Sequence, residues 1–531
     1  MKRVIIAAAL LSGFAVQGSL AAQQHQHGAA VDTARADSTR QHTRHAPAHP
    51  QPMQADTVHH RMMHADSSDH RMMRTDSAHH RQMHGDSAHS SMQHGEHAQI
   101  RSMQPASADH AGHGAQGGHA RAEGVPGAHS MAMRELGGGW SVMGMAQAYP
   151  ILTAGLADDG SPLRETEPYL TQPALMLNVA SPGQRVVLRT TLNFEALTQP
   201  DGELTFGGWG EGFIDRRHPH TLLHEAMLSA NLWSAAGGSL SVSAGKGFAP
   251  YGTDDPMSRP VAKYPTNHHL SQILERWTAN VVYLRGAWSV EAGLFGGQEP
   301  DGPYDFSNVE SFGDSWSARL IRRFGGTGTG APWEVSASYG SVAETHHEEK
   351  ARTALVNGYV RHAGAHRWGT LYGLVEASRS EPEGDERGYY AVLGETMAGI
   401  GRHRPYLRVE LSTRPEYERE AGEDGFFRYD HDAHAIGSTR WLITSAGYGL
   451  QLSGFPLGAS PFVEAQHNRA WRERGDVDPE ALFGQTSFWS LTAGFRIFLG
   501  SGGPMRMGSY GVLDDMSSNH RPASATGVHG H

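Results

Sequence analysis

From about residue 139 onward, the chain repeatedly alternates apolar and polar residues, and this feature constrains the fold more than any other. In "RVVLRTTLNFE", Leu188 and Leu192 alternate with Arg189 and Thr191. Near the other end, "SFWSLTAGFRIFLG" alternates in the same way and carries aromatic residues towards both of its ends. A period of two is typical of a β-strand with one apolar face. The alternation therefore predicts an all-β structure.

The connections between these segments indicate how the strands are arranged. About sixteen segments start near residues 139, 169, 185, 221, 239, 273, 287, 314, 332, 351, 367, 388, 404, 438, 459 and 486. Long connections alternate with tight ones such as "SPGQ", "SAAGG", "RG" and "GRHR". A soluble β-sandwich or propeller is the alternative fold, but neither forces such an alternation. The pattern predicts a transmembrane antiparallel up-and-down β-barrel of about 16 strands, with both termini on the side of the short turns, the periplasm.

The first residues predict export. "MKRVIIAAALLSGFAVQGSLAAQQ" has a positive start, a short apolar core and small residues at a cleavage position, so residues 1–21 are predicted to be a signal peptide. No later run has the roughly 20 apolar residues that a spanning helix needs. The chain has no cysteine, which excludes disulfides, c-type haem attachment and thiolate metal sites. These observations predict localisation in the cell outer membrane.

Residues 22–130 form one compositional block, rich in histidine and methionine and nearly empty of aromatic residues. The block cannot bury enough apolar surface to offset its chain entropy, so we predict a disordered tail in the periplasm. It contains a ten-residue repeat, "ADTVHHRMMH", "ADSSDHRMMR", "TDSAHHRQMH", "GDSAHSSMQH". Thioethers suit Cu(I), and neutral imidazole suits Cu(II), Zn(II) or Ni(II). The main predicted ligands are His59, His60, Met62, Met63, His64, His70, Met72, Met73, His79, His80, Met83 and His84.

The tail, the barrel and a second tail give the predicted domain organisation. The barrel spans residues 131–500, and residues 501–531 are predicted to be a disordered C-terminal tail in the periplasm.

Charged residues at alternate strand positions belong in a wet lumen, because the lipid face penalises them. The predicted lumen wall includes Arg185, Arg189, Arg276, Arg319, Arg323, Arg408 and Arg496.

The third long connection differs from the others, which are acidic. "FAPYGTDDPMSRPVAKYPTNHHLSQ" is nearly neutral and contains three further prolines after Pro250 at its corner. We predict that it enters the lumen and sets the conductance. Its candidate constriction residues are Asp254, Asp255, Arg259, Lys263, His268 and His269.

Two resemblances bear on function. The corner "GKGFAPYG" and the strand restart "ILERW" are similar to sixteen-stranded outer-membrane porins, including the phosphate-selective type, in which a third loop folds inside and narrows the pore. Porins usually end on an aromatic residue, whereas 31 residues follow "GFRIFLG" here, and the chain has few of the lysines that a phosphate pore would need. The His/Met-rich tail ahead of a barrel resembles the copper resistance protein B family in composition and domain order.

The sequence leaves two main functions open. The first is a porin-like channel with a tail that binds transition metal and acts in copper handling or resistance. The second is a general diffusion porin for small solutes whose tail is only a solvated spacer. No nucleophile–base motif is apparent, so we predict that the protein is not an enzyme. The predicted partners are outer-membrane lipid, small polar solutes and copper ions, with zinc or nickel as alternatives. No obligatory cofactor and no nucleic acid are predicted, and the porin resemblance implies a homotrimer.

Overall fold

The computed structural model describes residues 132–163, 166–198, 221–235, 237–261, 264–265, 268–300, 302–306, 309–326, 331–346, 349–383, 388–417, 435–452, 458–499 and 506–511. The chain divides into two units, 1–112 and 113–531, and every described residue lies in the second. The predicted signal peptide and the predicted His/Met-rich tail, including all twelve proposed metal ligands, lie outside the described residues.

The described part of the chain is almost entirely extended. Its strands are β1 (Ala132–Glu135), β2 (Ser141–Ala157), β3 (Glu167–Ala180), β4 (Val186–Asn193), β5 (Leu223–Ala235), β6 (Gly238–Gly247), β7 (Arg276–Arg285), β8 (Trp288–Phe295), β9 (Ser315–Phe324), β10 (Trp333–His346), β11 (Glu349–His366), β12 (Gly369–Pro382), β13 (Tyr389–Gly399), β14 (His403–Tyr417), β15 (Ala435–Leu450), β16 (Gly458–Gly475) and β17 (Ser487–Leu499). The helices are α1 (Glu195–Thr198) and α2 (Pro479–Phe483), with 3-10 turns η1 (Pro182–Gln184), η2 (Pro256–Ser258) and η3 (His268–Leu270). Within these residues, no helix is long and apolar enough to cross a membrane.

Strands β2 to β17 close into a sixteen-stranded antiparallel barrel. Each pairs with the next along the chain, and β17 returns to pair with β2, for example at Leu499 and Ala146. Closure leaves no unpaired edge along this sheet. The short β1 precedes the barrel and pairs with the beginning of β2. The predicted strand starts differ from the observed ones by at most three residues. The predicted sixteen-stranded up-and-down barrel is confirmed.

The period-two alternation becomes the inner and outer faces of the wall. Along β8, Val290 and Leu294 are exposed on the outer face, while Ser289 and Glu291 are buried on the inner face. The other strands follow the same rule, so exposed large side chains on the wall are mainly Leu, Val, Trp, Phe and Tyr, and buried wall side chains are largely polar or charged. An apolar outer band around a polar interior is the arrangement that a lipid bilayer requires.

The connections reproduce the long and short alternation with one exception. Two-residue turns join β7 to β8 and β11 to β12, whereas 28 residues, 248–275, separate β6 from β7 at the opposite end. The expected long loop near residue 347 is instead a tight hairpin, because β10 continues to His346 and pairs there with Glu349 of β11. Most of the polar residues of "ETHHEEK" therefore lie at the end of β10 and the beginning of β11.

Candidate channel constriction

The segment 248–275, here called the inner loop, lies inside the barrel and is held by its own backbone at the base. The amide of Ala249 donates to the carbonyl of Ile273 at 2.9 Å. Gly252 has a φ of +59°, and a Cβ there would lie 1.7 Å from the carbonyl oxygen of Ser271. Only glycine fits where the two arms of the loop come this close. The loop folds inward at the corner that the sequence singled out.

Contacts fix the inner loop to the wall on several sides of the lumen. The amide of Gly252 donates to Ser338 Oγ on β10 at 2.9 Å. The Arg496 guanidinium on β17 donates to the carbonyl of Pro260, and Arg408 Nη2 on β14 donates to the carbonyl of Val261 at 3.3 Å. Further contacts reach β4, β7, β9 and β12. The loop therefore extends across the lumen instead of lining one side.

The predicted constriction residues occupy several positions along the loop. Asp254 and Asp255 are buried, and the Asp255 carboxylate caps η2 by accepting from the amide of Met257 at 2.7 Å. Arg259 lies between two wall carboxylates, 3.6 Å from Glu376 and 3.8 Å from Glu395.

His268 is buried too and stacks on Tyr264, with ring centroids 5.2 Å apart. Lys263 and the side chain of His269 lie outside the described residues. The structure thus describes four of the six predicted constriction side chains, all of them buried.

Six of the seven predicted wall arginines face the interior, each in contact with a carboxylate or a backbone carbonyl. Arg276 pairs with Glu299, Arg319 with Glu291, Arg323 with Glu334 and Arg408 with Glu395; Arg189 and Arg496 donate to carbonyls. Pairing is what makes charges tolerable at such buried positions. The prediction is wrong for Arg185, which is exposed in the turn before β4. Side chains alternate between the inner and outer faces only within a strand, and β4 begins at Val186, one residue after Arg185.

Residues 506–511, here called the C-terminal segment, return into the lumen after the last strand. Arg506 anchors the start of this segment to two carboxylates. Its Nε donates to the two Asp254 carboxylate oxygens at 3.0 and 2.8 Å, and its Nη1 and Nη2 donate to Glu334 at 3.0 and 2.9 Å. Burial opposes the charged form of Arg506, but the two carboxylates raise its pKa well above the usual value. The arginine stays charged and joins the inner loop to β10.

The remaining residues of the C-terminal segment are also held. Arg319 Nη2 donates to the carbonyl of Gly508 at 2.9 Å, and Arg189 Nη1 donates to the carbonyl of Ser509 at 2.5 Å. The amide of Phe248 donates to Tyr510 Oη at 2.9 Å. The prediction of a disordered tail is therefore wrong for residues 506–511, because buried carboxylates and arginines of the wall and loop provide partners for them. In the sequence, only an arginine and a tyrosine within "PMRMGSYG" could have indicated that this segment binds inside the barrel.

Glu275 is a further residue that the sequence did not indicate. It ends the inner loop in a left-handed conformation, with φ of +59°, and is buried. Its Oε1 lies 2.6 Å from His224 Nδ1 and accepts from the amide of Thr221 at 2.8 Å. A non-glycine residue in this conformation is uncommon and is kept by its surroundings. Here the carboxylate ties the end of the loop to β5.

Neither the described histidines nor the described carboxylates form an evident metal centre. Within the described residues, no group of three or more His, Asp or Glu side chains could hold a metal ion. The arrangement instead combines a polar wall with an inner loop and a C-terminal segment that contact each other and several strands inside the lumen. It can restrict passage through the barrel.

Comparison with known proteins finds only distant structural similarity, to outer-membrane proteins. No family model and no curated protein matches the chain. An anion-selective porin from Comamonas acidovorans is similar with a TM-score of 0.41 and 10% identity, covering 68% of this chain and 99% of the porin. OmpT lacking loop L8, an outer membrane protein of Vibrio cholerae, has a TM-score of 0.39 and 10% identity, covering 68% and 99%. The outer membrane protein opdK from Pseudomonas aeruginosa has a TM-score of 0.32 and 13% identity, covering 67% and 98%. At this level of similarity the fold rests on the strand pairing itself.

Proposed function

We propose that the protein is an outer-membrane channel of the porin type, narrowed from inside, with a periplasmic tail that binds copper. The observation that carries the channel proposal is the polar, arginine- and glutamate-rich inner face of a closed barrel whose outer face is apolar. A sixteen-stranded barrel is wide enough for an aqueous passage. The permeant class proposed here is small polar solutes, and the resemblance to porins motivates a homotrimer.

A general diffusion porin remains the second candidate, but the interior argues for restricted passage. The inner loop and the C-terminal segment contact each other and strands on several sides. General diffusion needs an open cross-section, whereas these contacts narrow it. We therefore propose a channel that conducts weakly until one of the two internal segments moves.

Deletion of Thr253–His268 tests the channel proposal. Recorded in planar bilayers, the shortened protein should conduct more than the intact chain, because the constriction is removed. Circular dichroism of the same sample verifies that the barrel is folded. Unchanged conductance in a folded barrel contradicts the proposed constriction, and no conductance in either protein contradicts the channel.

The orientation and the metal proposal rest on separate arguments. With sixteen strands, β2 begins and β17 ends at the same end, the end of the short turns. That end faces the periplasm in outer-membrane barrels, so protease added to intact cells should spare residues 22–130.

Copper binding rests on the tail's histidines and methionines. Calorimetry with anaerobic Cu(I), before and after Met→Leu replacement across the repeats, tests it, and unchanged Cu(I) binding contradicts the thioether argument.

A further inference from the structure

Methionine is distributed unevenly in the barrel. Seven methionine side chains fall within the described part of the chain, and each is buried with an exposed fraction of 9% or less. They are Met143, Met145, Met176, Met227, Met257, Met397 and Met507. The exposed large apolar residues of the same part of the chain include leucine, valine, tryptophan and phenylalanine but not methionine. Methionine fills irregular gaps between packed side chains, which accounts for its burial, and its polarisable sulfur is also a soft metal ligand.

Six of these methionines belong to one cluster, here called the thioether cluster: Met143, Met145, Met176, Met227, Met257 and Met507. Met145 and Met176 are directly opposed in the pairing of β2 with β3, which brings their Cβ atoms to about 5 Å. Met143 lies two residues before Met145 on β2, so the two side chains are on the same face of the strand. Met257 comes from the inner loop and Met507 from the C-terminal segment. The wall and both internal segments thus contribute methionine side chains to one packed cluster.

Charged side chains flank the thioether cluster. Met176 on β3 is paired with Thr191 on β4, and Thr191 is paired in turn with Glu225 on β5. Glu225 is buried. Asn193 Nδ2 lies 3.9 Å from Met257 Sδ and 3.2 Å from Glu195 Oε2. Two buried carboxylates therefore flank the cluster, together with Arg189, which is directly opposed to Met227 in the pairing of β4 with β5. Thioether sulfur is neutral, so these carboxylates would balance the charge of a bound ion.

From this geometry we propose that the thioether cluster binds a soft monovalent cation of the Cu(I) or Ag(I) class. Soft sulfur ligands select such ions over harder divalent ions, which prefer oxygen or imidazole. This inference deepens the proposed function and rests on it in one respect: the tail would bring copper to the barrel that contains the cluster. Because Met257 and Met507 lie on the two segments that narrow the channel, a bound ion would join both segments to the wall.

Site-resolved titration with Ag(I) tests the inference on the full chain. The protein is labelled with 13C at the methionine methyl groups, kept in detergent micelles and titrated with silver nitrate. Single Met→Leu variants assign the resonances. Met145 and Met176 should shift at low silver equivalents. Met397, which packs against Val261 and Tyr406 outside the cluster, should not shift and is the internal control.

A double variant supplies the matched comparison. Met145→Leu with Met176→Leu keeps side-chain volume within narrow limits, so the barrel should remain folded by circular dichroism. The resonances of its remaining cluster methionines should shift only at silver concentrations at least ten-fold higher than those needed in the parent chain. Met397→Leu should leave the titration unchanged.

The outcomes distinguish this inference from the proposed tail function. Shifts of the tail methionines alone overturn the cluster and leave the tail proposal standing. Shifts of the cluster alone support the cluster and contradict the tail. If neither group shifts, both proposals are wrong. A double variant that binds silver as the parent does also overturns the cluster, whatever the tail does.

Discussion

Replacing Arg506 by glutamine should release the C-terminal segment and open the channel. The guanidinium makes four hydrogen bonds of 2.8–3.0 Å to Asp254 and Glu334, and only 12% of its side chain is exposed. Removing one member of a buried ion pair costs about 3–5 kcal/mol when the charges left behind stay buried. Here the carboxylates can regain water when the segment leaves. We therefore expect the lower end, about 3 kcal/mol.

That free energy sets the size of the effect on gating. At about 1.4 kcal/mol for each factor of ten, the ratio of released to bound segment should rise roughly 100-fold in R506Q. Single-channel recording in planar bilayers measures it as an increase in open probability. Arg506→Lys keeps the charge but cannot reach both carboxylates with a planar fork, so it should fall between the parent and R506Q.

Arg379→Gln is the matched control for this prediction. Arg379 also pairs with a glutamate, Glu381 at 2.7 Å, but 65% and 56% of the two side chains are exposed. An exposed pair contributes about 0–1 kcal/mol, so the control should behave as the parent. The reasoning is refuted if R506Q is folded and its open probability equals that of R379Q.

Three further predictions follow from the loop and the tail. Arg259→Gln leaves Glu376 without its cation, while Glu395 keeps its ion pair with Arg408, and should lower the free energy of unfolding by roughly 3 kcal/mol, measured as an earlier thermal transition. Gly252→Ala should displace the inner loop and raise conductance, whereas Gly401→Ala, with a similar φ of +56° but open space around it, should leave conductance unchanged. Copper binding by residues 22–130 should weaken as pH falls through about 6.5, because protonated imidazole does not ligate. Calorimetry of the full chain measures this, and identical affinity on both sides of that pH contradicts histidine ligation.

The sequence alone determined the barrel. Alternation of Leu188 and Leu192 with Arg189 and Thr191 is a local property, because successive side chains of a strand point to opposite faces whatever the strand packs against. Turns such as the one at Gly286 mark where strands end, since a positive φ of +58° favours glycine. Strand number, pairing order and the facing of most wall arginines followed from these local rules.

Tertiary structure alone decided which groups meet inside the barrel. Nothing local in "PMRMGSYG" indicates that Arg506 will bind Asp254 and Glu334, residues 252 and 172 positions away. Burial selects such contacts, because a carboxylate removed from water needs a charged or polar partner wherever the closed sheet brings one near. Gathering six methionines from the wall, the inner loop and the C-terminal segment depends on the same closure. The periodicity along a strand fixes which face a side chain takes, but the residues that share the lumen are fixed only when the sixteen strands close.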